Sequence, residues 1–378
     1  MSVSPDVIVV GAGVTGLSIA WHLLGLGAKV AVVERSGVGA GASGVQPGGV
    51  RQQWSTRVSC ALAQESTAFY RDFSRLLEPR TNPVLERCGY LFVADSSDRL
   101  AELEANVALQ NEVGVPSRIL SPSEAAEIVP GLLCEGIAGA AYCAEDGYFD
   151  QPQAVVEAFA EAVVRGGGEI VIGAVERVSF GPQGWTAELA DRPGLSAPTM
   201  VVAAGVDTRA LLEPLGIELP IVPEARFLFL SEPIRERLLD PLVVASERHF
   251  AAKQLANGRV LASDLAATGD PESGRGRWRA TVAAGISSLL PILEYVTFPL
   301  LVDGMYDVTP DHQPILDTVS DAEGLWVAAG LSGHGFMIAP AVGRLVASAL
   351  RGGRDPQLDH FRLGRFASRS IVRETQVV

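Results

Sequence analysis

The sequence predicts an α/β chain of two domains. One is built on a parallel sheet; the other is an α+β unit on a mixed, largely antiparallel sheet. Three observations carry this. The glycine cluster GAGVTG, Gly11 to Gly16, follows an unbroken apolar run near the N-terminus. A second cluster, GLSGHGFMIAPAVG from Gly330 to Gly343, opens another apolar helix more than 300 residues later. A length of 378 residues suits two hydrophobic cores.

In order along the chain, Val7 to Val10 is a short apolar run, as a buried parallel strand requires. A helix from about Val14 to Leu24 places Leu17, Ala20, Leu23 and Leu24 on one face. Gly25 and Gly27 stop it, Lys29 to Val33 forms the next strand, and Glu34 ends that strand. Gly11, Gly13 and Gly16 fit G-x-G-x-x-G, with a strand before and a helix after. The first glycine permits the tight turn, the second admits a pyrophosphate, and the third lets helix pack on strand. Glu34 stands where a carboxylate accepts hydrogen bonds from a ribose diol, which disfavours a 2′-phosphate. This part of the sequence does not separate NAD from FAD. Further on, a helix is expected near Val58 to Leu77. CGYLFVAD and EARFLFLSE read as strands, Ser121 to Glu124 as a capping box with Pro122 in the first turn, and VVAAG at Val201 to Gly205 as a buried strand entering a turn. After the second cluster, Pro340 is expected in a first helical turn, with Ile338, Val342, Leu345, Val346 and Ala349 as one apolar stripe. The stretch past Phe366 is expected to be a mobile tail.

Composition narrows the function classes. Apolar residues make up 48 % and charged residues 20 %, and the net charge of −14 argues against nucleic acid and anionic membrane surfaces. The N-terminus lacks a basic n-region and a long apolar h-region, so a cytoplasmic address is expected. The four cysteines show no CxxC and read as reduced thiols, and no histidine pair has metal-ligand spacing, so no metal site is expected.

The stretch GAGASGVQPGGVRQQW, Gly39 to Trp54, separates the cofactors. It resembles the D-amino-acid oxidase and sarcosine oxidase family of flavoproteins, in which GASG opens the helix beneath the flavin. The likeness continues in order through VVERSGVGAGASG, EDGYFDQPQAVVEAFAEAVVRGGGEI, MVVAAGVDT, YDVTPDHQPILD and GLSGHGFMIAPAVG, nearly the whole chain. It implies a Rossmann-like FAD-binding domain from residues 1–80, 150–219 and 306–378, and a substrate domain from 81–149 and 220–305. The resemblance assigns FAD contacts to Gly11, Gly13, Val14, Thr15, Gly16, Glu34 and Arg35. It adds Ala42, Ser43, Gly44, Gly48 and Gly49, then Val175, then Ala203, Ala204 and Gly205. The second cluster contributes Gly330, Leu331, Gly333, His334, Gly335, Phe336 and Met337, wrapping the flavin end. Two distant segments thus converge because FAD is long.

The same resemblance implies oxidation of a C–N bond next to a carboxylate, by hydride transfer to flavin N5, giving an imine that hydrolyses. Arg51 is the first candidate for the substrate carboxylate or the flavin edge, with Arg226 in reserve. His334, Tyr306 and His249 (or Phe250) are candidate cavity residues. Relatives resembling glycine oxidase and the beta subunits of sarcosine oxidase and proline dehydrogenase make a hetero-oligomer or homo-oligomer possible. Three departures from the monomeric sarcosine oxidase pattern stand out. Gly304 is found in place of the cysteine that bonds covalently to flavin, so non-covalent FAD is expected. Met337 replaces a carboxylate-gripping lysine. Val260 replaces a lysine that promotes reaction with oxygen, with Lys253 nearby but on the wrong side of the strand's start. The last favours a dehydrogenase passing electrons to a quinone or carrier protein over an oxidase. A 2-hydroxy-acid dehydrogenase and a non-catalytic flavin-binding subunit are the alternatives; a nicotinamide dehydrogenase is disfavoured by GASG and by the second cluster.

Overall fold

A computed structural model describes residues 4–319, 323–367 and 371–377. The glycine-turn unit forms as its pattern dictates: strand β1 (Val7–Val10), helix α1 (Val14–Gly25) and strand β2 (Val30–Glu34). Both strands lie in a six-stranded sheet, ordered Ile315–Thr318, Leu325–Ala329, Thr199–Val202, β1, β2, Glu169–Ile172. All its pairs are parallel except that of Ile315–Thr318 with Leu325–Ala329. The unbroken apolar runs follow from burial on both faces. One face packs on α1, helix Pro152–Arg165 and helix Gly335–Leu350. The other packs on a three-stranded antiparallel sheet, Val175–Gly181, Gly184–Leu189 and Leu195–Ala197, through Val178, Trp185 and Ala187. Where α1 crosses the Gly335–Leu350 helix, Gly343 faces Ser18 with no room for a side chain.

The second sheet has eight strands, ordered Leu300–Val308, Val222–Leu230, Val260–Asp264, Phe250–Gln254, Leu242–Ala245, Tyr90–Ala94, Gly139–Cys143, Arg118–Leu120. It is antiparallel except between Leu242–Ala245 and Tyr90–Ala94. Helices Pro271–Leu289 and Pro122–Ile128 cover its outer face, with Trp278 stacked on Phe227 at 4.1 Å between ring centroids. The capping box at Ser121 and Glu124 is formed. Helix Ser97–Glu112 instead packs on the inner face, through Leu103 and Val107 against Phe92. A small sheet of Gly49–Val50, Gly147–Phe149 and Leu85–Glu86 ties the halves together.

Three local expectations are corrected. The single helix over Val58 to Leu77 is two, Arg57–Arg71 and Phe73–Leu77, broken at Asp72. Pro340 lies inside helix Gly335–Leu350 rather than in its first turn. Having no N–H, it leaves the Phe336 carbonyl four residues earlier without its helical donor. The Tyr70 hydroxyl donates to that carbonyl at 2.5 Å, which is why the helix tolerates the proline. Finally, residues 371–377 of the expected mobile tail are pinned. Glu374 is buried and accepts from the Ser55 backbone N–H at 2.8 Å and its hydroxyl at 2.6 Å, and its own N–H donates to the Asp311 carbonyl. Residues 368–370 and 378 of that stretch lie outside the described residues. Among the described residues, no helix is long and apolar enough to cross a membrane.

Candidate active site

The C-terminal ends of β1, β2 and Thr199–Val202 open into a cavity of about 630 Å³. Gly11 turns the chain there with φ +108°, a conformation that side chains resist, and a Cβ on it would strike the Ala203 carbonyl. Gly13 caps α1 without any side-chain acceptor. The helix therefore presents its N-terminal N–H groups to the cavity, the arrangement a phosphate needs. The Val14 N–H donates to Ser43 Oγ at 3.1 Å, which pins the loop after β2 over the helix start. Glu34 accepts from the Ala12 N–H at 2.9 Å and the Ser36 N–H at 3.0 Å, fixing its carboxylate on the wall. Arg35 and Asp207 pair at 2.8 Å on the rim.

The second glycine cluster reaches the same cavity. Leu331, Gly333, Gly335 and Phe336 line it together with Gly11, Gly13, Thr15 and Ala203 to Gly205. Asp307 holds the cluster in place, accepting from the Gly330 N–H at 2.7 Å while its carbonyl accepts from the Ser332 N–H at 3.0 Å. Burial pushes the Asp307 carboxyl up to about 6. A long nucleotide cofactor fits this cavity. Uncapped amides stand at one end, the acidic ribose position beside them, and glycine backbone at the other end.

A second cavity of about 110 Å³ adjoins the first, and the two share Ala42, Val45, Gln46, Asp303, Gly304 and Tyr306. Its walls are mainly apolar: Phe227, Leu228, Leu242, Leu261, Leu265 and Val302. Tyr306 lies on both cavities, and burial raises its phenol. The Arg226 guanidinium sits 5.4 Å from the Tyr306 ring centroid and pairs with Glu224 at 2.7 Å. Lys253 also lines this cavity, although it precedes the start of the strand that holds Val260. It lies on the neighbouring strand Phe250–Gln254, in register with Leu261, and the pleat decides which way it faces. Phe250 and Ala252 face the outer helices, so Ala251 and Lys253 face the cavity.

The chain matches the family described as FAD dependent oxidoreductase (DAO) over residues 6–349. It belongs to this FAD-dependent oxidoreductase family. The chain is 28 % identical to FAD-dependent oxidoreductase domain-containing protein 1 of Bos taurus, over 96 % of this chain and 84 % of that protein. It is 26 % identical to sarcosine oxidase subunit beta of Rhodobacter capsulatus, over 98 % of this chain and 90 % of the relative. Its fold is similar to that of L-proline dehydrogenase from P. horikoshii, with a TM-score of 0.88 at 23 % identity, covering 97 % of this chain and 99 % of that one.

Many of the residues for which the resemblance implies FAD contacts line the larger cavity of this FAD-dependent oxidoreductase. Gly11, Gly13, Val14, Thr15, Glu34, Arg35, Ala42, Ser43, Val175, Ala203, Ala204, Gly205, Leu331, Gly333, Gly335 and Phe336 all line the nucleotide cavity. Others support the wall from behind. Gly16 packs on the Gly11 carbonyl, Gly44 on the Gly39 carbonyl, Gly48 on the Phe149 carbonyl, and Gly330 against Thr309. The Met337 methyl lies 3.2 Å from where a Cβ on Gly49 would stand. Gln46 and Gly173 also line the larger cavity, without having been expected there, and so does Gly304, which the resemblance places beside the flavin, with its neighbours Asp303 and Met305.

Arg51 and His249 are corrected. Arg51 lines neither cavity. It is fully buried, donates to the Gln53 and Gln376 carbonyls, and lies 3.9 Å over the Trp54 ring. His334, 4.4 Å from Trp54 between ring centroids, completes that stack behind the glycine loop. Burial, with Arg51 nearby, holds the imidazole well below its usual range, so it is neutral. His249 sits exposed in the turn before strand Phe250–Gln254, with φ +52°, and Phe250 packs on Gly285 of the outer helix. Val260 also faces the outer core. The preference for a dehydrogenase rested on a cavity without lysine, and Lys253 removes that ground.

Proposed function

We propose that this chain oxidises the C–N bond of an amino acid or N-alkyl amino acid on non-covalently held FAD. When bound, FAD supplies the hydride acceptor; the substrate carbon loses a hydride equivalent, its C–N bond becomes an imine, and water hydrolyses that imine. The chain's own groups bind and orient. The carrying observation is the shared wall of Ala42, Val45, Gln46, Gly304 and Tyr306 between the nucleotide cavity and the apolar cavity. A small substrate bound in the apolar cavity would lie beside the part of the larger cavity that Tyr306 and the second glycine cluster line, which supports this reading. Among the described residues, no cysteine or histidine lines the nucleotide cavity, which supports non-covalent binding. Four unpaired cysteines suit a reducing, cytoplasmic setting. Similarity to a protein named as a subunit beta supports assembly with a second subunit.

The test is an absorbance spectrum of the purified protein before and after acid precipitation, then anaerobic titration with amino and N-methyl amino acids. Flavin bands near about 370 and 450 nm, released by acid and bleached by one substrate class, are expected. A colourless protein that FAD does not reconstitute sinks the reading. Bleaching by 2-hydroxy acids instead moves the activity to that class.

A further inference from the structure

Three charged residues line the apolar cavity: Arg226, Asp303 on the wall shared with the larger cavity, and Lys253, which among the described residues forms no ion pair. Lys253 is 2 % exposed. Its ammonium donates to the Pro47 carbonyl and stands 4.3 Å from the Tyr148 ring centroid. Among the described residues, no carboxylate lies within 4 Å of it. The other cation on the wall, Arg226, is already paired with Glu224. A buried ammonium with only a carbonyl and a ring face for company is costly, and an arriving anion removes that cost.

A second observation points the same way. Gln46, on the wall shared with the nucleotide cavity, accepts from the Gly48 N–H through Oε1, while its buried Nε2 has no partner. Gln46 precedes Pro47, so a free amide donor and an unpaired ammonium meet on one loop at the mouth of the cofactor site. Both are donors of the kind a carboxylate takes. The remaining wall sets the rest of the ligand. Phe227, Leu242, Leu261, Leu265 and Val302 offer no hydrogen bonds from their side chains, and the Ser263 hydroxyl is spent on the Phe227 carbonyl at 2.9 Å.

We propose that Lys253, with Gln46, receives the substrate carboxylate, and that the substrate is an amino acid with an apolar side chain. This rests on the amine-oxidising reading above and names its substrate class. It gives Lys253 the role that the sequence reading gave to Arg51. One unpaired cation leaves no site for a second carboxylate, so acidic substrates are rejected. Burial also pushes the lysine down to about 7, so a carboxylate binds together with a proton near neutral pH.

The test is calorimetric titration of the purified holoprotein with isovalerate, its neutral isostere isovaleramide, and succinate. Isovalerate is expected to bind at least about tenfold tighter than isovaleramide, a difference of about 1.4 kcal/mol. Succinate is expected to bind weakly. Lys253→Met should lose the isovalerate preference and leave isovaleramide unchanged, while Lys253→Arg keeps most of it. Equal binding of isovalerate and isovaleramide to the wild-type protein overturns the proposal, as does an unaltered preference in Lys253→Met. If Lys253→Met does not fold, the wild-type comparison and Lys253→Arg still decide. The flavin spectrum is read separately. A protein that bleaches with amines yet does not prefer isovalerate refutes this assignment and leaves the oxidoreductase reading standing.

Discussion

Lys253 costs the fold something that its site requires. A lysine free in the unfolded chain titrates near 10.5, and burial lowers the folded group to about 7. Between those values the unfolded chain holds more protons than the native one, so stability rises with pH across the window. Below about 7 both states are protonated, and the penalty of burying the charge is fully present. Lys253→Met removes the penalty. The variant is therefore expected to exceed the wild type in denaturant-unfolding stability most clearly at pH 7, with the difference shrinking as pH rises toward 10. A difference that does not change with pH would show that the buried charge is not its source. Such residue-level detail was only partly legible in the sequence. That a carboxylate substrate calls for a cation was readable from chemistry. Which cation faces the cavity depends on the pleat of one strand, which position relative to the neighbouring strand's start does not show. Arg51 failed for another reason. The carbonyl of Gln376, contributed by the far end of the chain, closes over its guanidinium.

Among elements, the Gly335–Leu350 helix shows why its start was misjudged. Proline normally marks a first turn, because only there is its missing N–H harmless. Here Tyr70, on helix Arg57–Arg71, replaces the lost donor at the Phe336 carbonyl. Tyr70→Phe is expected to destabilise the protein by about 1–3 kcal/mol, the cost of leaving a buried acceptor unpaired. In a Pro340→Ala background the helix regains its own N–H, so the same Tyr70→Phe change should cost distinctly less. Denaturant midpoints of the four proteins measure the coupling, and additive effects would mean that the hydroxyl does not stand in for the helical donor. The β1–α1–β2 unit, by contrast, was readable nearly to the residue. Its determinants are local: an apolar run, three glycines at fixed offsets and an acid at the end of the next strand. The break at Asp72 and the pinning of residues 371–377 have no such local signal and arise from tertiary partners.

At the scale of the whole molecule, the two glycine clusters lie on one cavity because β1 and Leu325–Ala329 flank Thr199–Val202 in the same sheet. The loops leaving all three strands open at the same edge, the usual place for ligands in open α/β sheets. Sequence order separates the clusters and sheet order brings them together. A ligand that spans them stabilises the native fold and not the unfolded chain, so its effect follows mass action: about 2.7 kcal/mol at a hundredfold excess over Kd. Protein stripped of cofactor is therefore expected to melt higher with FAD, and NAD should give much less of this rise, since the single nicotinamide ring fills less of the space beside the Leu331–Phe336 turn than the three-ring isoalloxazine. Glu34→Gln should weaken the rise with FAD by replacing one charged carboxylate acceptor with an amide donor, measured against the variant's own ligand-free melting temperature. The nucleotide end of the cavity serves both dinucleotides alike, so the contrast between them reads the second glycine cluster. An equal rise with NAD would assign the site to nicotinamide chemistry and detach that cluster from the cofactor.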